Sequence, residues 1–289
     1  MRAAGCGHDC PQPTDPALAD NPIGSAADPL AGWPNRTVLA DPSGHRMLVY
    51  SRYERTDGQP WADGVWVPPD VDVDVAADLA VRSWAGWACS SGDPALVQSL
   101  LARGAIELRH AHQMTHRLTD IPELVPDGFA VVQLDAESLV ARSYEIGSAA
   151  WSAYPPGHPD HDWADIAAAE RSMRKAAAGE VLGPLLPAST VALDPGDAVL
   201  GACLVVNRDG PVPDGGPWIL DVFRDPATPF GGVGSALIGG GLRALAEGGA
   251  PALGLVVTHA NAHARQVYER LGFLPVSESW TVALPPDAG

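Results

Sequence analysis

The chain has 289 residues, more than one typical domain of roughly 100–200, so two domains are expected. Apolar residues make up 46%, enough for packed cores, yet no apolar run approaches the roughly 18 residues of a membrane span. Net charge is −17 with Lys175 as the single lysine, which excludes the basic clusters that nucleic acid or an anionic membrane requires; the acidity fits a cationic small molecule such as an amine, or plain solubility.

The first residues lack the apolar core of a secretory signal, so the expected location is cytoplasmic. Residues 1–36 are rich in Pro, Gly, Asp and Ala without periodicity and read as an irregular arm. Cys6, His8 and Cys10 fall there, but no fourth ligand accompanies them and the spacing is not that of a zinc knuckle, so no metal is expected. Cys89 and Cys203 sit in apolar segments and read as small buried hydrophobes. A first domain spans 37–118, and the prolines of Thr119–Gly128 mark a linker before a second domain at 129–289.

In the second domain, Phe129–Leu134 reads as a strand, and Asp135 or Ser138 as the cap of a helix starting near Glu137. Tyr154–His161 interrupts before a second helix over Trp163–Ala178. Strands follow near Ser189–Leu193, Ala198–Asn207 and Trp218–Phe223. A glycine turn opens a helix at about Gly234–Glu247, which Gly248-Gly249 stops. Leu253–Thr258 reads as a strand, Ala262–Leu271 as a helix and Val276–Leu284 as a closing strand.

Two motifs carry chemistry. The first is Pro229-Phe-Gly-Gly-Val-Gly-Ser-Ala-Leu237, a glycine-rich turn before a helix. Glycines let an anion approach the main chain, and the first N–H groups of a helix lack partners and carry the positive dipole end. Phe230, Gly231, Gly232, Val233, Gly234 and Ser235 could thus hold a pyrophosphate without a lysine, with Ser235 bonding an oxygen or capping the helix. The third glycine of a dinucleotide fingerprint is missing, because Leu237 stands there. The second motif is Asn261-Ala-His-Ala-Arg-Gln-Val-Tyr-Glu-Arg-Leu-Gly-Phe273, which sets Asn261, Ala264 and Tyr268 on one helix face.

Together the motifs resemble the acyl-CoA site of the GNAT acetyltransferase superfamily, although Pro229 stands where that family usually has Arg or Gln. The resemblance implies an α/β (α+β) GNAT fold, a mixed central sheet with flanking helices, and transfer of an acetyl group from acetyl-CoA to a small amine. It implies that Asn261 bonds the pantetheine arm and Ala264 leaves room for it. It makes Tyr268 the acid that protonates the departing thiolate, a role open to a phenol whose ordinary pKa is about 10. Phe223 and Arg224 would offer main-chain bonds to the pantetheine and the acetyl carbonyl, and Arg265 is a candidate for the 3′-phosphate. For the base, Asp221 is on the right strand, with parity undecided, and His158, Asp160 and His161 lie in the interruption. Tyr154, His158, His161 and Trp218 could line the acceptor pocket. A non-catalytic acyl-CoA sensor, and transfer to a hydroxyl or of a longer acyl chain, stay open as alternatives. Cys203 has no His partner in the sequence, so no acyl-enzyme is expected.

The first domain resembles a worn copy of the second. Asp93–Ala105 overlays Asn261–Phe273 without a gap, with Gly104 on Gly272 and Ile106–Leu118 on the closing strand, but Leu100 replaces Tyr268. Three carboxylates in Pro69-Asp-Val-Asp-Val-Asp74 stand where the phosphate turn belongs. Ordinary helix–Gly–strand punctuation would give the same alignment.

Overall fold

The computed structural model describes residues 36–54, 58–161, 163–209 and 215–286, so the arm expected over 1–36, with Cys6, His8 and Cys10, lies outside them except for Arg36. The elements of the first part are β1 (Arg36–Ala40), β2 (Arg46–Glu54), β3 (Pro60–Trp66), α1 (Val73–Ser83), β4 (Ala88–Ser91), α2 (Pro94–Ala102) and β5 (Ile106–His116). The second part begins with β6 (Ala130–Gln133), α3 (Ala136–Ala141), α4 (Ser143–Ala153), α5 (Ile166–Ala177), β7 (Thr190–Leu193) and β8 (Val199–Arg208). It continues through β9 (Gly216–Arg224), α6 (Val233–Glu247), β10 (Leu253–Thr258), α7 (Ala262–Arg270) and β11 (Leu274–Ala283).

The described chain divides into two compact units, one of residues 113–276 and one of residues up to 112 joined by 277–286. Sequence punctuation had set the boundaries at 118, 128 and the chain end. Both cuts instead fall inside strands, β5 after His112 and β11 after Val276. Pro and Gly mark where strands stop and carry no signal at such a point.

In the unit built on the first part, strand order is β1-β2-β3-β4-β11-β5, with β3 parallel to β4 and β11 antiparallel to β4, Trp280 opposite Ser91. Leu48, Ala77, Trp84, Leu96 and Leu100 fill its core. The anticipated repeat is visible element by element. Asp93 caps α2 by accepting from the Ala95 N–H at 2.9 Å, as Asn261 caps α7 by accepting from the Ala264 N–H at 3.2 Å. Both helices are 9 residues long, and Gly104 and Gly272 close them at φ 89° and 93°. The turn chemistry is lost. Asp72 accepts from the Asp74 and Val75 N–H groups at 2.9 and 3.1 Å, so its own carboxylate covers the start of α1. Leu100 is fully buried where Tyr268 stands in the other copy.

In the unit of residues 113–276 the order is β6-β7-β8-β9-β10-β5. Side-chain alternation in β8 splits two cores. Cys203 and Val205 pack with α6 and α7, while Ala202 and Leu204 pack with α3, α4 and α5. Gly240 lets α6 lie close to the sheet, where a Cβ would come within 3.1 Å of Thr190 Cγ2, and a Cβ on Gly241 would come within 2.9 Å of the Ala188 carbonyl oxygen. The helix expected from Glu137 is two helices, because Arg142 takes φ −105°, ψ 17° and its guanidinium holds Glu145 at 2.7 Å. Asp135 is the α3 cap, accepting from the Ser138 N–H at 2.8 Å. α5 begins at Ile166 rather than Trp163, because Asp165 accepts from the Ala168 N–H and sets the first turn there. Among the described residues no helix is long and apolar enough to cross a membrane.

Candidate functional site

The site forms where β9 and β10 part. Their parallel ladder pairs Trp218 with Gly254, and beyond it Val222, Phe223 and Arg224 of β9 line a cavity of about 530 Å³. Residues 228–235, Ile238 and one face of α7 complete the lining. Gly232 sits at φ 74° as the α6 cap residue, and no side chain caps the helix. The first helical bond runs from the Ala236 N–H to the Gly232 carbonyl at 2.9 Å. The N–H groups of Val233, Gly234 and Ser235 precede it and carry the positive end of the helix dipole. Cβ atoms built on Gly231, Gly232 or Gly234 would meet nothing within 4 Å, so the approach to these groups is open. Phe230 anchors the turn: its ring packs 5.7 Å from Phe129, and Gly128 leaves it room, since a Cβ there would come within 2.7 Å.

Tyr268 lines the same cavity and is buried. α7 ends in a Schellman turn: Gly272 is left-handed, and the Phe273 N–H donates to the Tyr268 carbonyl at 3.0 Å. This places Phe273 edge-on to the Tyr268 ring at 5.6 Å. Burial pushes the phenol pKa well above its ordinary value, with Cys203, Asp221 and Asp160 adding to the effect. The group is a neutral hydrogen-bond donor at physiological pH.

Residues 144–273 match the model of the Acetyltransferase (GNAT) family. The match marks this segment, under half of the chain, as a GNAT acetyltransferase domain. Among solved structures, a GCN5-related N-acetyltransferase from Sphaerobacter thermophilus matches with TM-score 0.64 at 15% identity, covering 93% of this chain and 89% of that one. A GNAT-family acetyltransferase from Colwellia psychrerythraea has TM-score 0.54 at 10% identity, covering 86% and 85%. A tandem GNAT protein from the clavulanic acid biosynthesis pathway has TM-score 0.52 at 14% identity, covering 88% and 85%. At such identities the likeness is one of fold. It extends over both units, in keeping with a tandem layout. No curated protein matches in sequence.

Within the GNAT domain, the cavity lining gathers Phe223, Arg224, Phe230, Gly231, Gly232, Val233, Gly234, Ser235, Ala264 and Tyr268. Ser235 is inside the helix and not its cap, because α6 starts earlier, at Val233. Asn261, Arg265 and Trp218 lie outside the lining, as do Asp221, Tyr154, His158 and His161. Asn261 is turned to the α7 cap and donates from Nδ2 to Asp160 at 2.8 Å. Arg265 is one position, about 100°, round the helix from Ala264. Trp218 is buried at the last paired position, under the Arg208 guanidinium at 4.5 Å.

His263, Val267 and Arg270 line the cavity instead, a spacing of four and three along α7 that the sequence contains but that only acquires a direction once Tyr268 is placed. Arg270 and Arg224 put two arginines on the lining of a site whose phosphate turn requires no basic side chain.

The parity of Asp221 is set by a bulge. Leu204 pairs with Asp221 and Val205 with Ile219, which leaves Leu220 extra. Asp221 consequently shares the face of Leu204, next to α4, and is buried. The Tyr154 hydroxyl lies 2.8 Å from Asp221 Oδ1 and 2.9 Å from the Val222 carbonyl oxygen. His161 Nδ1 is 2.6 Å from the Tyr154 carbonyl, so it carries the hydrogen and leaves Nε2 as the basic nitrogen of the neutral ring. His158 Nδ1 accepts from the Asp160 N–H at 3.1 Å, and burial lowers its pKa. Burial also pushes the Cys203 thiol upward, so it is no thiolate nucleophile.

Proposed function

We propose that the domain transfers an acetyl group from acetyl-CoA to a small amine by direct attack in a ternary complex. One observation carries this reading: unpartnered helix N–H groups, suited to a pyrophosphate, and a neutral buried phenol face a single cavity at parting strands. The turn of residues 230–235 takes the diphosphate, with Arg224 or Arg270 balancing its charge. The main chain of Phe223 and Arg224, past the residue of β9 that pairs with β10, serves the pantetheine and the acetyl carbonyl, where an N–H stabilises the developing oxyanion. The amine nitrogen bonds to the carbonyl carbon, the C–S bond breaks, and the thiolate takes the Tyr268 hydroxyl proton. Burial raises the phenol pKa, so the hydroxyl keeps its proton until the thiolate forms beside it, and the same surroundings disfavour a charged thiolate.

The acceptor side is the loop after α4. The amine gives its proton to the Tyr154 oxygen as Tyr154 donates its own to Asp221, at the 2.8 Å contact. His158 and His161 border this route and are the remaining proton acceptors. The chain's net charge of −17 favours a cationic acceptor.

The test is turnover with acetyl-CoA across a panel of small amines, read by free thiol and by mass of the product. Acetylated amine is expected. Tight acetyl-CoA binding with no product from any amine or alcohol would instead identify an acyl-CoA sensor.

A further inference from the structure

We infer that Asn261 and Asp160 are positioning residues that clamp the acceptor loop to the helix of Tyr268, and that Asn261 does not hold the pantetheine arm. The proposal rests on the reading above that residues 154–161 line the acceptor side.

An asparagine amide offers one carbonyl oxygen and one NH2 group. In Asn261 the oxygen accepts from the Ala264 N–H at 3.2 Å, and Nδ2 donates to Asp160 Oδ2 at 2.8 Å. The oxygen and one of the two amide hydrogens are engaged inside the protein, and the residue is absent from the cavity lining. The other oxygen of Asp160 accepts from the Thr258 hydroxyl at 2.8 Å. One carboxylate of the loop therefore meets the last residue of β10 and the cap residue of α7 together.

The loop's other bonds run elsewhere. Tyr154 reaches β9 through Asp221 and Val222, and His161 folds back onto the Tyr154 carbonyl. The Asp160 bonds thus join the β9 side of the parting strands to the β10 and α7 side. Tyr268 lies seven residues, about two turns, past Asn261 on α7. Displacing the clamp moves the acceptor loop with respect to the proton donor while leaving the α6 turn in place.

The test uses three full-length variants: Asp160→Asn, Asn261→Asp and the exchange of both. Asp caps a helix about as well as Asn, so Asn261→Asp keeps α7 while setting two carboxylates against each other. In the exchange, the new amide at 160 again donates to an oxygen at 261. Hydrogen exchange at the amides of Gly157, His158, Asp160 and His161 is expected to accelerate at least about tenfold in each single variant and to return to within about twofold in the exchange. The acceptor KM should rise by about tenfold in the single variants while the acetyl-CoA dissociation constant, by calorimetry, stays unchanged. Unchanged loop exchange in the single variants, or no recovery in the exchange, overturns the clamp. Weakened acetyl-CoA binding by Asn261→Asp with an undisturbed loop would return Asn261 to the cofactor. Should the wild-type protein acetylate no amine, the proposed function fails, while loop exchange still decides the clamp.

Discussion

Gly234→Asp separates folding from donor binding. Residue 234 is the second of α6, and a Cβ there meets nothing within 4 Å, so the side chain fits. Replacing a helical glycine by Asp favours folding by about 0.3 kcal/mol, since Asp is only slightly the better helix former, and a carboxylate in the first turn adds about 0.3–1 kcal/mol through the dipole. The melting temperature should hold or rise. For a bound diphosphate the sign reverses: two unit charges about 4 Å apart repel by about 1 kcal/mol at the dielectric of water and about 4 kcal/mol at an effective value of 20. The carboxylate also competes for the N–H groups that the phosphate needs. The first unit shows that competition, since Asp72 occupies the Asp74 and Val75 N–H groups. Acetyl-CoA affinity by calorimetry should fall at least tenfold, about 1.4 kcal/mol. A stable variant with undiminished affinity would refute the assignment of this turn to the diphosphate.

Tyr268→Phe should lower kcat at least tenfold, about 1.4 kcal/mol of barrier, with the acetyl-CoA dissociation constant nearly unchanged; an unaltered rate transfers the acid role elsewhere. Arg270→Glu should weaken acetyl-CoA by about 1 kcal/mol or more, with an effect that shrinks in high salt, whereas Arg265→Glu should be nearly silent; calorimetry at two ionic strengths distinguishes them. His116 is buried with Nδ1 accepting from the Leu118 N–H at 2.9 Å, and burial lowers its pKa. The unfolded chain then binds the extra proton first, so this residue's contribution to stability is full above about pH 6.5 and declines as pH falls below it. Denaturant titrations at pH 7 and pH 5 should show a smaller loss for His116→Gln than for the wild type, and an equal loss counts against the account.

Local signals found most of the domain. The 3.6-residue period and caps placed α7 within one residue, and β10 fell on its sequence limits, because both depend on neighbours in the chain. The break at Arg142 carried no Pro or Gly and escaped. The bulge at Leu220 escaped as well, since an extra residue in a strand is defined only by the strand opposite. It alone directs Asp221 to Tyr154, which is why alternation along β9 left that side chain undecided. Asn261 shows the same limit: its spacing from Tyr268 is visible in the chain, but its partner Asp160 lies 101 residues away.

What the amino-acid order determined by itself is the inventory: a glycine turn before a helix, a phenol at a set distance from a helix stop, and a gapless internal alignment whose chemistry is missing. Those are near-neighbour properties, written in backbone freedom and side-chain period. The tertiary structure decided which of those groups share a cavity, that Arg270 rather than Arg265 enters it, and that β5 and β11 each pass from one unit to the other. Such choices depend on pairing and packing between distant segments, where the energy of one register over another has no trace in either segment alone.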